Sequence, residues 1–292
     1  MTALETASRR RLPTEGPFVV ESFKAAGLRA LTAEEEKKIS QGGISVEGME
    51  GREGFDEIQE RERESLRAFF GSDIDVPSVP GSVTMEQYEQ WKEMGLELHY
   101  MPDMEMSENK NYPGWKKKPT SNINLFNAVK DKKEKLAADT LKLPGAWVVV
   151  DAREKPQYQN GNQVYANDPL KDVIEELRKQ KVIGGTKAGS RFEISWDELH
   201  KPEVKAKFAE ILGTTPDQLR LPRAIEWNFL GNAHYQKWGD TNTWEWFEDS
   251  YQGSRRLAGG DSDDGGLSGV DWAAPDYRSD YGGFRPLIVI PS

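Results

Sequence analysis

The chain has 292 residues, a formal charge of −10 and no cysteine. That length allows a sizeable core, in one large domain or two ordinary ones. The acidic balance argues against a nucleic-acid partner, since phosphate binding needs a concentrated basic face, and the missing cysteines exclude disulfides, thiolate metal sites and thiol redox chemistry.

The longest apolar runs, 146–150 and 287–290, fall far short of the roughly 20 residues that span a bilayer, so no membrane insertion is expected. Residues 1–16 have no apolar stretch after their arginines, which is not the pattern of a secretory signal. A role outside a cell would need another route, such as a virus particle; a cytoplasmic location is the alternative. The only histidines, His99, His200 and His234, fall in different predicted elements without zinc-helix spacing. They read as scattered structural or surface residues, and neither metal nor cofactor is expected.

Residues 1–15 are polar and Arg-rich and are expected to lack order. Val19 to Ser40 reads as mostly helix, with a capping box opening at Thr32, and Gly42–Gly54 as a link. Phe55, Ile58, Leu66, Phe69 and Phe70 then fall on one side of a charged helix. This stripe suits either a bundle core or a homo-oligomer seam. A Pro-containing break over Asp73–Ser82 precedes a short helix from Val83-Thr84 carrying Tyr88 and Trp91, then a strand over Leu96–Tyr100. Met101 to Asn124 is irregular, and the lysines at 116–118 and 130–135 read as solvated surface. A helix is expected from about Leu125 to Leu141, ending at Leu143-Pro144-Gly145. Residues 1–142 read as a partly helical region for assembly or attachment, with a domain boundary near 143.

Ala146–Asp151 is a buried strand by its β-branched run. After a loop, Asp168-Pro169 predicts an N-cap and first-turn proline for a helix to Lys181. Arg191–Ile194 is strand-like. Ser195-Trp-Asp-Glu is a capping box opening a stretch broken at Pro202 and ended by Gly213, with a further short helical turn at Pro216–Leu219. Ala224–Phe229 predicts a helix burying Trp227 and Phe229.

The tail differs from all before it. Lys and Glu both stop at Glu248, while Asp continues freely. Two apolar blocks, around Trp244 and Trp246 and from Phe284 to Ile290, bracket a segment of Gly, Asp, Ser, Ala, Arg and Tyr. The flanks can bury themselves, and the middle has little to bury and much to hydrogen-bond with. This is the pattern of a polar surface held on a fixed frame, in which Tyr gives area at low entropy cost and small polar residues give adaptable contacts.

Four blocks carry a resemblance. Leu219–Gly231, Thr243–Asp249, Arg256–Gly260 and Gly283–Arg285 resemble, in order, motifs of the formylglycine-generating (sulfatase-modifying factor) family, a branch of the C-type-lectin fold. They cover about residues 143–292. That family's oxidation uses paired cysteines, which this chain lacks, and the related iron-dependent sulfoxide synthases need three clustered histidines. A lectin-type fold without those residues, ending in such a tail, resembles the variable proteins of diversity-generating retroelements. The resemblance implies an α+β architecture, with a C-type-lectin-fold domain at 143–292 and a variable segment at about 255–285. In that family mutagenesis directed at adenines acts on Asn codons, which never become Lys, Glu, Gln, Met or Trp. Between Asp261 and Arg285 there is no Lys, Glu, Gln or Met. Trp272 is then either a fixed frame residue or a mark against the family.

The expected face is Asp261, Ser262, Asp263, Asp264, Ser268, Asp271, Trp272, Asp276, Tyr277, Ser279, Asp280 and Tyr281. The expected scaffold is Trp227, Trp244, Trp246, Phe284 and Arg285. The expected activity is non-enzymatic binding of a protein or glycan on a host or partner surface. Four alternatives compete. Calcium at Asp261–Gly265 is opposed by Gly265 and Trp272 at the fifth and twelfth positions of an EF-hand register. An enzyme using Glu226, Glu245 or Glu248 lacks a spacing argument. The last two are a plain structural subunit and a lectin of fixed specificity.

Overall fold

The computed structural model describes residues 53–131, 133 and 136–291. The helix expected at Val19 to Ser40, its Thr32 capping box and most of the Gly-rich link lie outside the described residues. Among those described, no helix is long and apolar enough to cross a membrane. The architecture is mixed α+β, with two separate sheets.

Helix α1 (Glu53–Phe70) carries the predicted apolar stripe. Ile58, Leu66, Phe69 and Phe70 are buried, and the rings of Phe69 and Phe70 pack on Phe229 at 4.9 and 5.9 Å. The chain's own residues therefore cover this part of the stripe, as in a bundle core. Helix α2 (Met85–Glu93) starts where Thr84 accepts from the Gln87 amide at 3.1 Å, and buries Trp91. Strand β1 (Leu96–Met101) follows. The next helix is shorter than its periodicity implied. Helix α3 (Leu125–Lys130) stops at Asp131, and a 3-10 turn, Ala138–Leu141, returns the chain.

Strand β3 (Ala146–Asp151) is buried along almost its whole length because sheet neighbours flank it on both edges. It pairs antiparallel with β1 on one side and with β9 (Leu287–Val289) on the other; β4 (Leu219–Arg220) closes that sheet beside β9. Residues on both sides of 143 thus share one sheet, and Glu57–Ser292 forms one compact unit. The change of composition at Gly145 marks a turn inside that unit, taken with a positive φ of 65°, instead of separating two bodies.

Helix α4 (Lys171–Lys179) begins later than predicted. Leu170 stands at its N-cap position, and the Asp168 carboxylate accepts the Leu170 amide at 2.9 Å while also holding Arg191 at 2.6 and 2.7 Å. Arg191–Ile194 is accordingly irregular, and Arg191 is wholly buried between Asp168 and Asp151. The Ser195 capping box is present and opens α5 (Trp196–Leu199); Pro202 starts α6 (Pro202–Ile211). Pro216–Leu219 lies in a turn closed by the Leu219 amide on the Thr215 carbonyl at 3.2 Å, the bond of a single helical turn, and leads into β4. Helix α7 (Ala224–Ala233) buries Trp227 and Phe229 as expected.

The second sheet has the order β2-β7-β6-β5-β8. Its strands are β2 (Ser121–Asn122), β5 (Trp244–Tyr251), β6 (Arg255–Gly259), β7 (Gly269–Ala273) and β8 (Gly282–Gly283). The two sheets are joined through a buried ionic centre. Glu245 on β5 accepts Arg285 Nε at 3.1 Å and Nη2 at 3.0 Å, the Trp227 indole N–H at 2.8 Å and the Tyr165 hydroxyl at 2.5 Å. Arg285 also donates to the main-chain carbonyls of Asp151 and Arg153, and its guanidinium lies 3.8 Å from the centre of the Trp238 ring. Burial opposes the charge on Glu245, but Arg285 and Lys155 outweigh it and hold the carboxyl below its ordinary range.

The histidines are not all scattered. The rings of His99 and His234 lie 4.0 Å apart, while His200 sits elsewhere against Trp196 and Glu248.

Removing one member of a fully desolvated pair strands the other. Glu245→Gln is therefore expected to cost about 3–5 kcal/mol, read from denaturant unfolding. A second test concerns Asp249, buried on β5 and accepting the Ala224 amide at 2.7 Å. Burial pushes its carboxyl up to about 7. The folded state thus holds a proton that the unfolded chain releases near the ordinary value, so stability falls as pH rises from about 4 to about 7. Asp249→Asn keeps the acceptor and removes the charge. Relative to the variant, the wild type should lose up to about 1.4 kcal/mol per pH unit across that window, read from melts at several pH values.

Candidate ligand-binding face

The loop after β6 is built by its own short polar side chains. Asp261 Oδ1 accepts the Asp263 amide at 2.9 Å, and its carbonyl takes the Gly266 amide at 2.7 Å. Gly265, at φ 101°, lets the chain reverse where any side chain would strike Ser121. The strand β7 then returns antiparallel to β6, with Trp272 opposite Leu257 and Asp271 opposite Ala258. The segment beyond β7 folds back to β8, which pairs with the start of β5, Trp244 opposite Gly282. A side chain at Gly282 would run into the Trp244 ring.

These turns bring six of the expected residues, Asp261, Asp264, Asp271, Trp272, Tyr277 and Tyr281, around one hollow of about 160 Å³. Trp272, Tyr277 and Tyr281 are among the large exposed side chains of the described residues, at 40%, 46% and 37%. A drug-sized ligand fills a pocket of roughly 300–1,000 Å³, so this hollow suits one side chain or one ring of a larger partner. Ser262, Asp263 and Asp276 are exposed but do not line it, and Ser268 is half-buried. Asp280 is half-buried and takes the Tyr158 hydroxyl at 3.0 Å.

Ser279 does not belong to an exposed face. It is 4% exposed, because its carbonyl accepts the amides of Glu193 and Gly282 and its hydroxyl that of Tyr281. Trp227, Trp246, Phe284 and Arg285 are buried as a scaffold should be. Trp244 is half-buried and lines the hollow as well, edge-on to Trp246 at 4.8 Å and Tyr281 at 6.2 Å. Asn122 also lines it. Nothing in the sequence flagged that residue, since a two-residue parallel pairing of β2 with β7 has no periodicity to read.

The face is acidic, with one arginine stacked on its Trp272 ring and two others engaged elsewhere. The Arg255 guanidinium lies 3.4 Å from the centre of the Trp272 ring, Arg256 lies 4.1 Å from that of Trp196, and Arg278 pairs with Glu198 at 2.7 Å. Burial and the neighbouring carboxylates of Asp264 and Asp263 raise the Asp261 pKa. The glutamates weighed for catalysis are occupied too. Glu226 takes a bidentate contact from Arg220 at 2.6 and 2.7 Å, and Glu248 contacts His200 at 3.2 Å. Among the described residues the tail aspartates form no group of three metal-capable donors; Glu62, His99 and His234 do.

No family model, curated protein or solved structure matches this chain.

Face and frame are separable by stability. Combined Asp263→Ala, Asp264→Ala, Asp276→Ala and Tyr277→Ala should change the folding free energy by less than about 0.5 kcal/mol per site, as exposed positions do. Ser279→Tyr forces a large ring into a buried turn and should cost about 1–3 kcal/mol by thermal unfolding.

Proposed function

We propose that this protein is a non-enzymatic display protein whose C-terminal face, within about 255–285, binds a protein or glycan on a host or partner surface. The observation that carries it is the hollow ringed by Asp261, Asp264, Asp271, Trp272, Tyr277 and Tyr281, standing on a frame whose members are buried and mutually bonded. The composition fits, with short acids and tyrosines outward and no Lys or Glu after Glu248. The four sequence blocks support a C-type-lectin type of fold, and the segment's bias supports kinship with variable proteins of diversity-generating retroelements. An acidic face with its neighbouring arginines engaged favours a ligand offering cationic or hydrogen-bond-donor groups. Display on a virion or a cell is the matching location, with the cytoplasm as the alternative.

A lectin of fixed specificity is the second reading. It is favoured by aromatic rings (Trp244, Trp272, Tyr277, Tyr281) beside carboxylates, a combination that stacks on sugar rings and bonds to hydroxyls.

Deep sequencing of the gene in its source population separates the two. The display reading expects a near-identical template repeat nearby, with adenine-rich Asn codons at the exposed positions and variation confined to them. An invariant tail with no repeat rejects it and leaves the fixed lectin.

A further inference from the structure

Away from the tail, Glu62 on α1, His99 on β1 and His234 just after α7 converge. One donor atom from each lies within 4.8 Å of the other two. Glu62 and His99 are buried, with Oε1 and Nδ1 3.1 Å apart. Glu62 Oε1 already takes the Arg61 guanidinium, Nη2 at 3.1 Å and Nε at 3.3 Å, but that contact supplies nothing between Oε1 and His99 Nδ1, and the surrounding bonds say which of the remaining atoms are acceptors. The Tyr235 hydroxyl donates its single proton to Glu97 Oε2 at 2.7 Å. It must therefore accept from His99 Nε2, 2.5 Å away. A neutral His99 thus carries its lone pair on Nδ1, facing the Glu62 carboxylate.

A proton on Nδ1 would satisfy that pair but would leave His234 unexplained. His234 Nε2 is shielded from solvent and has no hydrogen-bond partner among the described residues. Its ring lies 4.0 Å from what would then be an imidazolium. Buried nitrogens without partners are rare enough to need a reason.

We propose that Glu62, His99 and His234 form a divalent transition-metal site, with zinc the best-matched ion, that fastens α1, β1 and the end of α7 together. Zinc sits about 2.0–2.2 Å from nitrogen and oxygen donors, which places tetrahedral donors about 3.3 Å apart. Glu62 and His99 already stand at that separation, and His234 has at most about 1.5 Å to close. The donor set, two imidazoles and a carboxylate without thiolate, suits zinc and its neighbours in the series over calcium or magnesium. The outer contacts are those of a metal site as well. His99 is oriented through Tyr235 and Glu97, the Tyr100 amide donates to Glu62 Oε2 at 3.1 Å, and Ser65 lies 3.5 Å from His234 Nδ1. Arg61 and Glu97 beside it are about half exposed, so an ion has a short way in.

The test uses the untagged full chain, stripped with chelator and titrated with Zn²⁺ and Co²⁺. One equivalent should bind, and the melting temperature should rise by about 5 °C at hundredfold excess over Kd. Co²⁺ should give the visible absorption of a low-coordinate nitrogen–oxygen site. His234→Gln removes a donor that has no partner, so the metal-free variant should melt within about 1 °C of wild type while losing the shift. Glu97→Gln, which perturbs only the outer contact, should weaken binding about 10- to 100-fold. His200→Gln should bind as wild type. Absence of stoichiometric binding by the wild type overturns the proposal, as does a response unchanged in His234→Gln or lost in His200→Gln. If His234→Gln does not fold, the wild-type stoichiometry and the Glu97→Gln affinity decide alone.

Discussion

Most of the C-terminal architecture depends on one ion pair. Glu245 and Arg285 are both at 0% exposure, and each makes four hydrogen bonds. The carboxylate takes four donors, while the guanidinium divides its donors between that carboxylate and two main-chain carbonyls of the other sheet. Burying two charges costs several kcal/mol per ion, and only complete bonding repays it. The benefit lies in position. Arg285 stands two residues before β9, and Glu245 is the second residue of β5. The pair therefore fixes the two ends of the intervening tail at a set separation, whatever the residues between them are.

A second buried group extends the same centre. Asp151, at the end of β3, takes Arg191 at 2.6 Å, and Arg191 in turn is held by Asp168. Burial opposes the charge on Asp151, yet Arg191, Arg285 and Arg153 keep its carboxyl below the ordinary range. Lys155 reaches beneath the face from this side, its ammonium donating to the carbonyls of Thr243 and Gly260 at 2.5 Å. The backbone of the loop is thus gripped from below through main-chain oxygens. Side chains at 262–264 can point outward without sharing in that grip. The atoms Lys155 grips are main-chain carbonyls, separate from the carboxylates and rings that line the hollow.

How much of this was legible varies with the range of the interaction that decides it. Elements set by local chemistry read well. The β-branched run of β3, the Ser195 capping box, the proline opening α6 and the apolar repeat of α1 lie where their residues imply. Elements set by distant partners did not. Asp168 looks like an N-cap because Pro169 follows it, but Arg191, 23 residues on, shares the carboxylate with the Leu170 amide. Residue 143 looks like a boundary because composition changes there, yet β1 and β3 pair across it. His99 and His234 looked scattered because 134 intervening residues hide a contact that only folding makes. Within the face, exposure was legible from composition for Asp263, Asp264, Asp271, Asp276 and the two tyrosines, while Asp261 and Asp280 are half-buried. Ser279 misled because a small polar residue in a turn looks the same whether its hydroxyl meets water or an amide.

Trp272 shows how one residue can serve frame and face together. Its backbone is locked in the β6–β7 ladder opposite Leu257, which is fully buried. One side of its ring is covered by the Arg255 guanidinium, a cation–π contact of the sort worth about 0.5–1 kcal/mol at exposed sites. The rest of the ring borders the hollow. Under the display reading, a position that directed mutagenesis cannot turn into Trp should be one whose ring is needed in every version of the surface. A flat platform, with its orientation set by strand and arginine rather than by a ligand, meets that need. Asp271 adds to that hold, its Oδ1 accepting the Trp272 amide at 2.7 Å, while Tyr277 and Tyr281 border the same hollow.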